Sequence, residues 1–372
     1  MSQSAFKRKV EHLLTGTGVA LNGPNPWDLQ VHNEHFYRRA IAHGSVGLGE
    51  SYMQGWWDAA DLDGLIYRVL MANLEETAVN VDNILAYLHA RFFNLQKPSR
   101  AFEVGQRHYD MGNDLYKHML GKRLVYSCGY WKTADNLDDA QEAKLELVFH
   151  KLGLQRGMRV LDIGCGWGEA LKLAAERYGI TGVGVTVSKE QAKYAKEISQ
   201  GLPIEVRLQD YRLLDEKFDR IFSIGMFEHV GFKNYRTYMH TARRCLKDNG
   251  LFLLHCIGGN LSVRDTDAWI EKYIFPNGML PSIKQIAAAS EHLFVVEDWH
   301  NFSVYYDKTL QAWRKNFENS WNELKSQYNE TFHRMWRYYL SASMASFRSR
   351  KNQLWQIVFS PRGVPGGYVA PR

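Results

Sequence analysis

Cysteine is scarce in this chain: four residues in 372, Cys128, Cys165, Cys245 and Cys256, with no pair at a Cys-x-x-Cys spacing. That leaves no disulfide framework to expect and no local thiolate metal knuckle. No run of about eighteen apolar residues occurs, so no segment is expected to span a bilayer. The amino terminus lacks the apolar core of a secretory leader, and the expected compartment is a reducing cytoplasm. Also missing are a Gly-x-x-x-x-Gly-Lys-Ser/Thr phosphate cradle, a His-Glu-x-x-His metal helix and a concentrated basic motif for nucleic acid. Neither sign of charge dominates. With 46 basic and 40 acidic residues the net charge is +6, a mild basicity that suits an anionic membrane surface or a nucleic acid equally and alone decides nothing.

What is present is core-forming material: 45% hydrophobic and 13% aromatic residues, ample for two folded domains at this length. Residues 1–92 read as a small helical domain, with helical periodicity over 5–14, 34–43 and 62–72. The stretch 93–105, broken by Pro98, reads as a linker, and 106–372 as the second domain. There, strand-like runs at 159–163, 182–187, 204–208, 220–224 and 250–255 alternate with helical ones at 169–178, 189–199 and 235–246. This is the rhythm of an α/β, Rossmann-like parallel sheet. Ligands of such sheets sit beyond the carboxyl ends of the strands, which nominates 162–168, 186–191, 209–211, 225–229 and 255–258. The tail from Pro361 is rich in Gly and Pro and is expected to be poorly ordered.

Residues 160–168 read Val-Leu-Asp-Ile-Gly-Cys-Gly-Trp-Gly, an apolar strand that meets an acid and breaks into a glycine turn before a helix. Glycines there let backbone N–H groups approach a nucleotide-like ligand without a Cβ in the way. The alternation of Gly164, Gly166 and Gly168 departs from Gly-x-Gly-x-x-Gly, which disfavours a dinucleotide. The pattern points instead to a class I methyltransferase domain binding S-adenosylmethionine. Asp162, Gly164, Cys165 and Gly166 are the expected contacts from the turn, with Gln209, Asp210 and Tyr211 after the third strand. The second strand ends without the acid that usually meets the ribose, so Thr186 and Gln191 would supply neutral hydrogen bonds.

Six stretches carry a resemblance to a known family: 47–57 (Gly-Leu-Gly-Glu-Ser-Tyr-Met-Gln-Gly-Trp-Trp), 108–114 (His-Tyr-Asp-Met-Gly-Asn-Asp), 126–131 (Tyr-Ser-Cys-Gly-Tyr-Trp), 161–168, 225–231 (Gly-Met-Phe-Glu-His-Val-Gly) and 273–278 (Tyr-Ile-Phe-Pro-Asn-Gly). The chain resembles the bacterial cyclopropane-fatty-acyl-phospholipid synthases. The first stretch lies in the region that separates these from the shorter mycolic-acid enzymes. The resemblance implies transfer of methylene from S-adenosylmethionine to a cis double bond of a phospholipid acyl chain. It adds Tyr126 and Ser127 to the adenosyl contacts and implies a bound bicarbonate as base. By motif the ion's holders become Cys128, Glu228, His255, Ile257 and Tyr306, with no metal. Glu228 would accept a hydrogen bond from the bicarbonate hydroxyl and receive its proton.

Further expectations follow from the resemblance. Aromatics among Tyr126, Tyr130, Phe227, Tyr273 and Tyr306 would form a cation-tolerant wall, a minority of them touching substrate. Unsaturated phospholipids of the inner membrane face would be the partners, met peripherally from the cytoplasm by a homodimer. Arg38, Arg39, Arg348, Arg350 and Lys351 are candidates for docking there. Each site residue has a plain structural reading as well: Cys128 as a small buried hydrophobe, Glu228 and His229 as caps, His255 as a core histidine. Two departures stand out. Ser343 occupies a place where some relatives carry cysteine, which excludes a covalent thiol role there. Glu169-Ala170 replaces the more usual glycine at a helix start, where an acid faces the positive end of the dipole. An enzyme that stops at a methyl branch, and a binding module without activity, are the rival readings.

Overall fold

The structure, a computed structural model, describes residues 3–73 and 113–372. The expected linker 93–105, and most of the 108–114 motif, lie outside the described residues. Two units emerge. The first takes the described part of Met1–Phe93 together with Asp265–Phe275 and Tyr306–Asn352; the second takes the described part of Asn94–Arg264 with Pro276–Tyr305 and Gln353–Arg372. The expected continuous domain 106–372 is therefore interrupted twice, because the long helix Glu330–Arg348 buries its apolar face on helices His35–Met53 and Leu62–Met71 of the first unit.

In that unit the expected helices appear at Gln3–Leu14, His35–Met53 and Leu62–Met71, with a two-residue antiparallel pair, β1 (Gln30–Val31) and β2 (Trp57–Asp58), between them. Asp61 caps the third helix by accepting the Gly64 N–H at 3.0 Å. Gly47 and Gly49 of the 47–57 stretch are packing residues: a Cβ on Gly47 would lie 2.2 Å from the Arg39 carbonyl oxygen and one on Gly49 2.4 Å from the Trp269 ring. Trp269 in turn meets Tyr338 edge-on at 4.7 Å.

The second unit is built on a seven-stranded sheet. Its strands are β3 (Arg159–Ile163), β4 (Thr181–Thr186), β5 (Ile204–Leu208), β6 (Phe218–Ile224), β7 (Leu246–Gly259), β8 (Val295–Asn301) and β9 (Asn352–Ser360), in the order β5-β4-β3-β6-β7-β9-β8. The pairs β3–β4, β3–β6, β4–β5 and β6–β7 are parallel, as the sequence rhythm required, and β8–β9 is antiparallel. The last two strands were not anticipated.

Both faces of the sheet are covered at its centre, where β3 and the buried part of β7 are largely apolar and alternate between two cores. Leu161, Ile163, Phe252, Leu254 and Cys256 enter one core. Val160, Phe222 and Leu253 enter the other, beneath Leu145, Val148, Phe149 and Leu152 of helix Leu137–Leu152. By the period of two, Asp162 and His255 fall on that second face, under the same helix. The glycine- and proline-rich tail is tied down rather than loose. Val364 N–H donates to Glu297 Oε1 at 2.8 Å, Tyr368 Oη to the Lys151 carbonyl at 2.7 Å and Arg372 Nη1 to Asp298 Oδ2 at 2.8 Å.

Candidate active site

At the end of β3 the backbone turns through three positive φ values, 89° at Gly164, 53° at Gly166 and 85° at Gly168. The first and third are also constrained by contact. A Cβ on Gly164 would lie 2.6 Å from the Met226 side chain and one on Gly168 2.8 Å from Ala195 Cβ, whereas one on Gly166 would meet nothing within 4 Å. Gly166 thus faces open space in a cavity lined by this turn, by Tyr126 and Ser127, and by the ends of β4, β5 and β6. All eleven residues expected to hold the adenosyl group line that cavity: Tyr126, Ser127, Asp162, Gly164, Cys165, Gly166, Thr186, Gln191, Gln209, Asp210 and Tyr211. Glu169, buried at the start of the next helix, is paired with Arg123 Nη1 at 3.5 Å.

Polar groups at the ends of β4 and β5 answer one another. Thr186 Oγ1 donates to Gln191 Oε1 at 3.1 Å and accepts the Ser188 N–H at 3.2 Å. With its carbonyl so engaged, Gln191 keeps its NH₂ as the donor for a ligand. Asp210 accepts from Arg212 Nε at 2.9 Å and Nη2 at 2.5 Å, so its charge is already balanced when it reaches the cavity wall. Burial raises the Tyr211 phenol to about 12.

Sequence reasoning passed over Lys144. It is fully buried on helix Leu137–Leu152, and its Nζ donates to Ser127 Oγ at 2.8 Å while Gln141 Nε2 donates to the Ser127 carbonyl at 2.7 Å. Burial depresses the Lys144 pKa to about 7, against the opposing pull of Cys128 and Asp162. Asp162 is itself raised well above the carboxylate range by burial, with Lys144 acting the other way. A signal existed: Lys144 stands among Ala140, Gln141, Leu145 and Val148, on the stripe of the helix that faces the core.

Of the residues matched to the base, Glu228 follows β6, and His255 and Ile257 lie near the end of β7. Glu228 is buried, and its Oε1 accepts the Ile257 N–H at 2.7 Å, while Oε2 has no hydrogen-bond partner. Burial raises its pKa to about 7, opposed by that backbone donor. His255, two residues before Ile257 on the same strand, is held through Nδ1 by the Gln356 amide at 3.3 Å. With the Gln356 NH₂ facing Nδ1, the ring proton falls on Nε2, which is buried without a partner. Burial, and then the Lys144 and Lys151 charges, drive the His255 pKa well below its ordinary value, so the ring is neutral. Cys128 is fully buried and its thiol donates to the Gly129 carbonyl at 3.2 Å. Segment 126–128 abuts the end of β6: a Cβ on Gly225 would lie 3.8 Å from the Tyr126 carbonyl oxygen.

The remaining expected residues have the following surroundings. Tyr306 belongs to the first unit, where its ring stacks on Phe347 at 4.4 Å. Ser343 lies within helix Glu330–Arg348 of the same unit. Tyr273 donates to Glu50 Oε1 at 2.7 Å, and Phe227 stacks on Tyr235 at 4.4 Å inside the core. Of the five proposed wall aromatics, Tyr126 lines the cavity. The docking arginines are largely committed within their own unit: Arg39 to Glu50 and Gln54, Arg348 to Asp63 and Asp307. Lys351 donates to Asn73 Oδ1 at 2.6 Å.

The profile of a family described as mycolic acid cyclopropane synthetase matches residues 96–357. The chain is 52% identical over 366 residues to the cyclopropane-fatty-acyl-phospholipid synthase of Escherichia coli K12, covering 98% of this chain and 96% of that one. It is 31% identical over 376 residues to a tuberculostearic acid methyltransferase of Mycobacterium tuberculosis, covering 94% and 87% respectively. A crystal structure of a mycolic acid cyclopropane synthase complexed with SAH and CTAB is similar with a TM-score of 0.65 and 34% identity, over 69% of this chain and 97% of that one.

Proposed function

The chain belongs to the mycolic acid cyclopropane synthetase family of S-adenosylmethionine-dependent enzymes, and from that membership we propose that its acceptor is the cis double bond of an unsaturated phospholipid acyl chain. The products are a cyclopropane fatty acyl phospholipid and S-adenosylhomocysteine. The observation that carries the acceptor is the 52% identity to a phospholipid enzyme across 98% of the chain, amino-terminal region included.

In this reading the alkene π electrons form the new carbon–carbon bond as the sulfonium–methyl bond breaks, and the sulfonium leaves as a neutral thioether. A cation remains on the other alkene carbon. Loss of a proton from the transferred methyl closes the ring. The residues present fit a bound hydrogencarbonate: His255 offers one buried donor at Nε2 and Glu228 one buried acceptor at Oε2, neither with a protein partner. When bound, that ion supplies the base. Glu228, with a pKa of about 7, is suited to hold the released proton at Oε2. The Ile257 N–H orients its carboxylate and Gln356 the His255 ring. Cys128 and Tyr306 complete the set by motif. Homodimerisation and peripheral attachment to the cytoplasmic membrane face belong to the same proposal. Among the described residues, no helix is long and apolar enough to cross a membrane.

A second reading, methylation that leaves a branch, draws on the similarity to the tuberculostearic acid methyltransferase. Incubating the protein with S-adenosylmethionine and vesicles of cis-unsaturated phospholipid decides between them. A gain of one methylene with a cyclopropane NMR signal supports ring closure; a methyl or methylidene signal supports the branch; unmodified lipid overturns both.

A further inference from the structure

The loop that leaves β7 leads from the carboxylate to the surface. Ile257, whose N–H holds Glu228, is followed four residues later by Leu261, 72% exposed, and then by Val263, 39% exposed. The loop is anchored rather than frayed. Gly259 N–H donates to the Pro281 carbonyl at 2.9 Å, the Ser262 and Ser282 hydroxyls lie 2.6 Å apart, and Gln285 Nε2 donates to the Val263 carbonyl at 3.2 Å. These bonds set Ile283, 56% exposed at the start of helix Ile283–Ser290, beside Leu261 and Val263. The segment carrying Ile283 also begins at the site, since Met279 N–H donates to the Glu228 carbonyl at 2.8 Å.

Three branched aliphatic side chains held in water on a fixed loop form a surface with an unmet apolar partner. Cations stand beside them, with Asp265 and Asp267 next along the chain after Arg264. Lys233 Nζ and the Arg264 guanidinium stand 5.8 Å and 5.6 Å from the centre of the Phe232 ring, and exposed Lys284 follows Ile283. Segments 229–236, 257–264 and 281–285 contain no Asp or Glu. Aliphatic side chains flanked by cations complement an anionic bilayer, whose headgroups draw the cations and whose acyl region takes the apolar tips.

We propose that Leu261, Val263 and Ile283, with Lys233, Arg264 and Lys284 around them, form the surface that docks on anionic phospholipid bilayers. This rests on the reading that the acceptor is a membrane phospholipid. It moves the docking role from Arg39 and Arg348 of the first unit, which are paired with carboxylates, to a surface beside the site.

Two variants test it, Leu261→Asp/Ile283→Asp and Lys233→Gln/Arg264→Gln/Lys284→Gln. Each is compared with the parent protein for flotation with cis-unsaturated phosphatidylglycerol vesicles at low and high salt. Turnover is followed on the same vesicles and on the same lipid dispersed in detergent micelles. The aspartate pair is expected to weaken vesicle binding about tenfold or more, to lower vesicle turnover in step and to leave micellar turnover unchanged. The glutamine triple is expected to lose the salt-sensitive part of binding. Vesicle binding equal to the parent's overturns the proposal, as does an equal loss of turnover on micelles. A changed oligomeric state with intact vesicle binding also overturns it, by assigning the surface to a second copy of the chain. If the parent modifies no lipid in either form, the proposed reaction fails, while flotation of the variants still decides the docking surface.

Discussion

The ends of β4 and β5 and the ends of β6 and β7 lie on one sheet and treat polar side chains in opposite ways. Around the former, Thr186 bonds Gln191, and Asp210 bonds Arg212; across the cavity Lys144 bonds Ser127. Around the latter, Glu228 Oε2 and His255 Nε2 are buried with no partner. An unmet buried polar atom costs about 1–3 kcal/mol, a cost a fold carries where a ligand restores the bond. The ends of β4 and β5 are thus largely satisfied by their own residues, whereas Asp162 Oδ1 beside the glycine turn and the carboxylate corner each leave a buried atom for what binds there.

The largest expected effect sharpens that contrast. Glu228→Gln keeps the acceptor for the Ile257 N–H and removes the capacity to take a proton, so turnover should fall about 10³-fold. S-adenosylhomocysteine affinity, read by calorimetry, should stay that of the parent. A matching loss of affinity would merge the two regions into one and break the comparison.

The same substitution has a signature in stability. The unfolded carboxyl ionises from 4.5 upward, whereas the folded one stays protonated to about 7. Across that window the unfolded state binds fewer protons, so stability contributed by this group is lost as pH rises. Glu228→Gln should therefore match the parent near about pH 5 and exceed it by about 3 kcal/mol near about pH 8 in denaturant melts. For turnover the sign reverses. An unprotonated Glu228 is needed, so the rate should climb through about pH 7 and then level.

Within the glycine turn, Gly164→Ala and Gly166→Ala should separate packing from ligand approach. The first adds a Cβ 2.6 Å from Met226 at a φ of 89° and should lower stability by about 3 kcal/mol. The second meets open space and should cost about 1 kcal/mol of stability, while weakening S-adenosylhomocysteine binding more than its stability loss explains. Equal affinity in the Gly166 variant would show that the ligand does not approach there.

Smallest of the four, Lys144→Met removes the anchor of Ser127 and should weaken S-adenosylhomocysteine binding about fivefold, the worth of one hydrogen bond. A larger loss confined to turnover would place Lys144 with the carboxylate corner instead.

Much of the second unit was legible because its signals are local. A strand buried on both faces is an apolar run, and a turn with positive φ selects glycine, so β3 and its loop stand at 159–168 in sequence and structure alike. The strands β8 and β9 carry no such mark. Val295 and Val296 are exposed on β8, and Gln353 and Gln356 interrupt β9. Their pairing depends on residues about sixty positions apart meeting. The tail escaped prediction because Gly and Pro report a chain free to turn, and the ties of Tyr368 and Arg372 come from distant partners.

By itself the sequence determined the β-α rhythm, the glycine turn, the neutral pair Thr186 and Gln191 where an acid is usual, and the identity of Glu228 and His255 at strand ends. Each follows from residue type and spacing along a few neighbouring positions. The tertiary structure alone decided that Lys144 is buried against Ser127, that Glu228 and His255 keep one atom each unsatisfied, that Arg39 and Arg348 are spent on carboxylates, and that Leu261 and Ile283 stand in water. Burial and pairing are set by residues far away in the chain, and those same contacts set charge state and exposure.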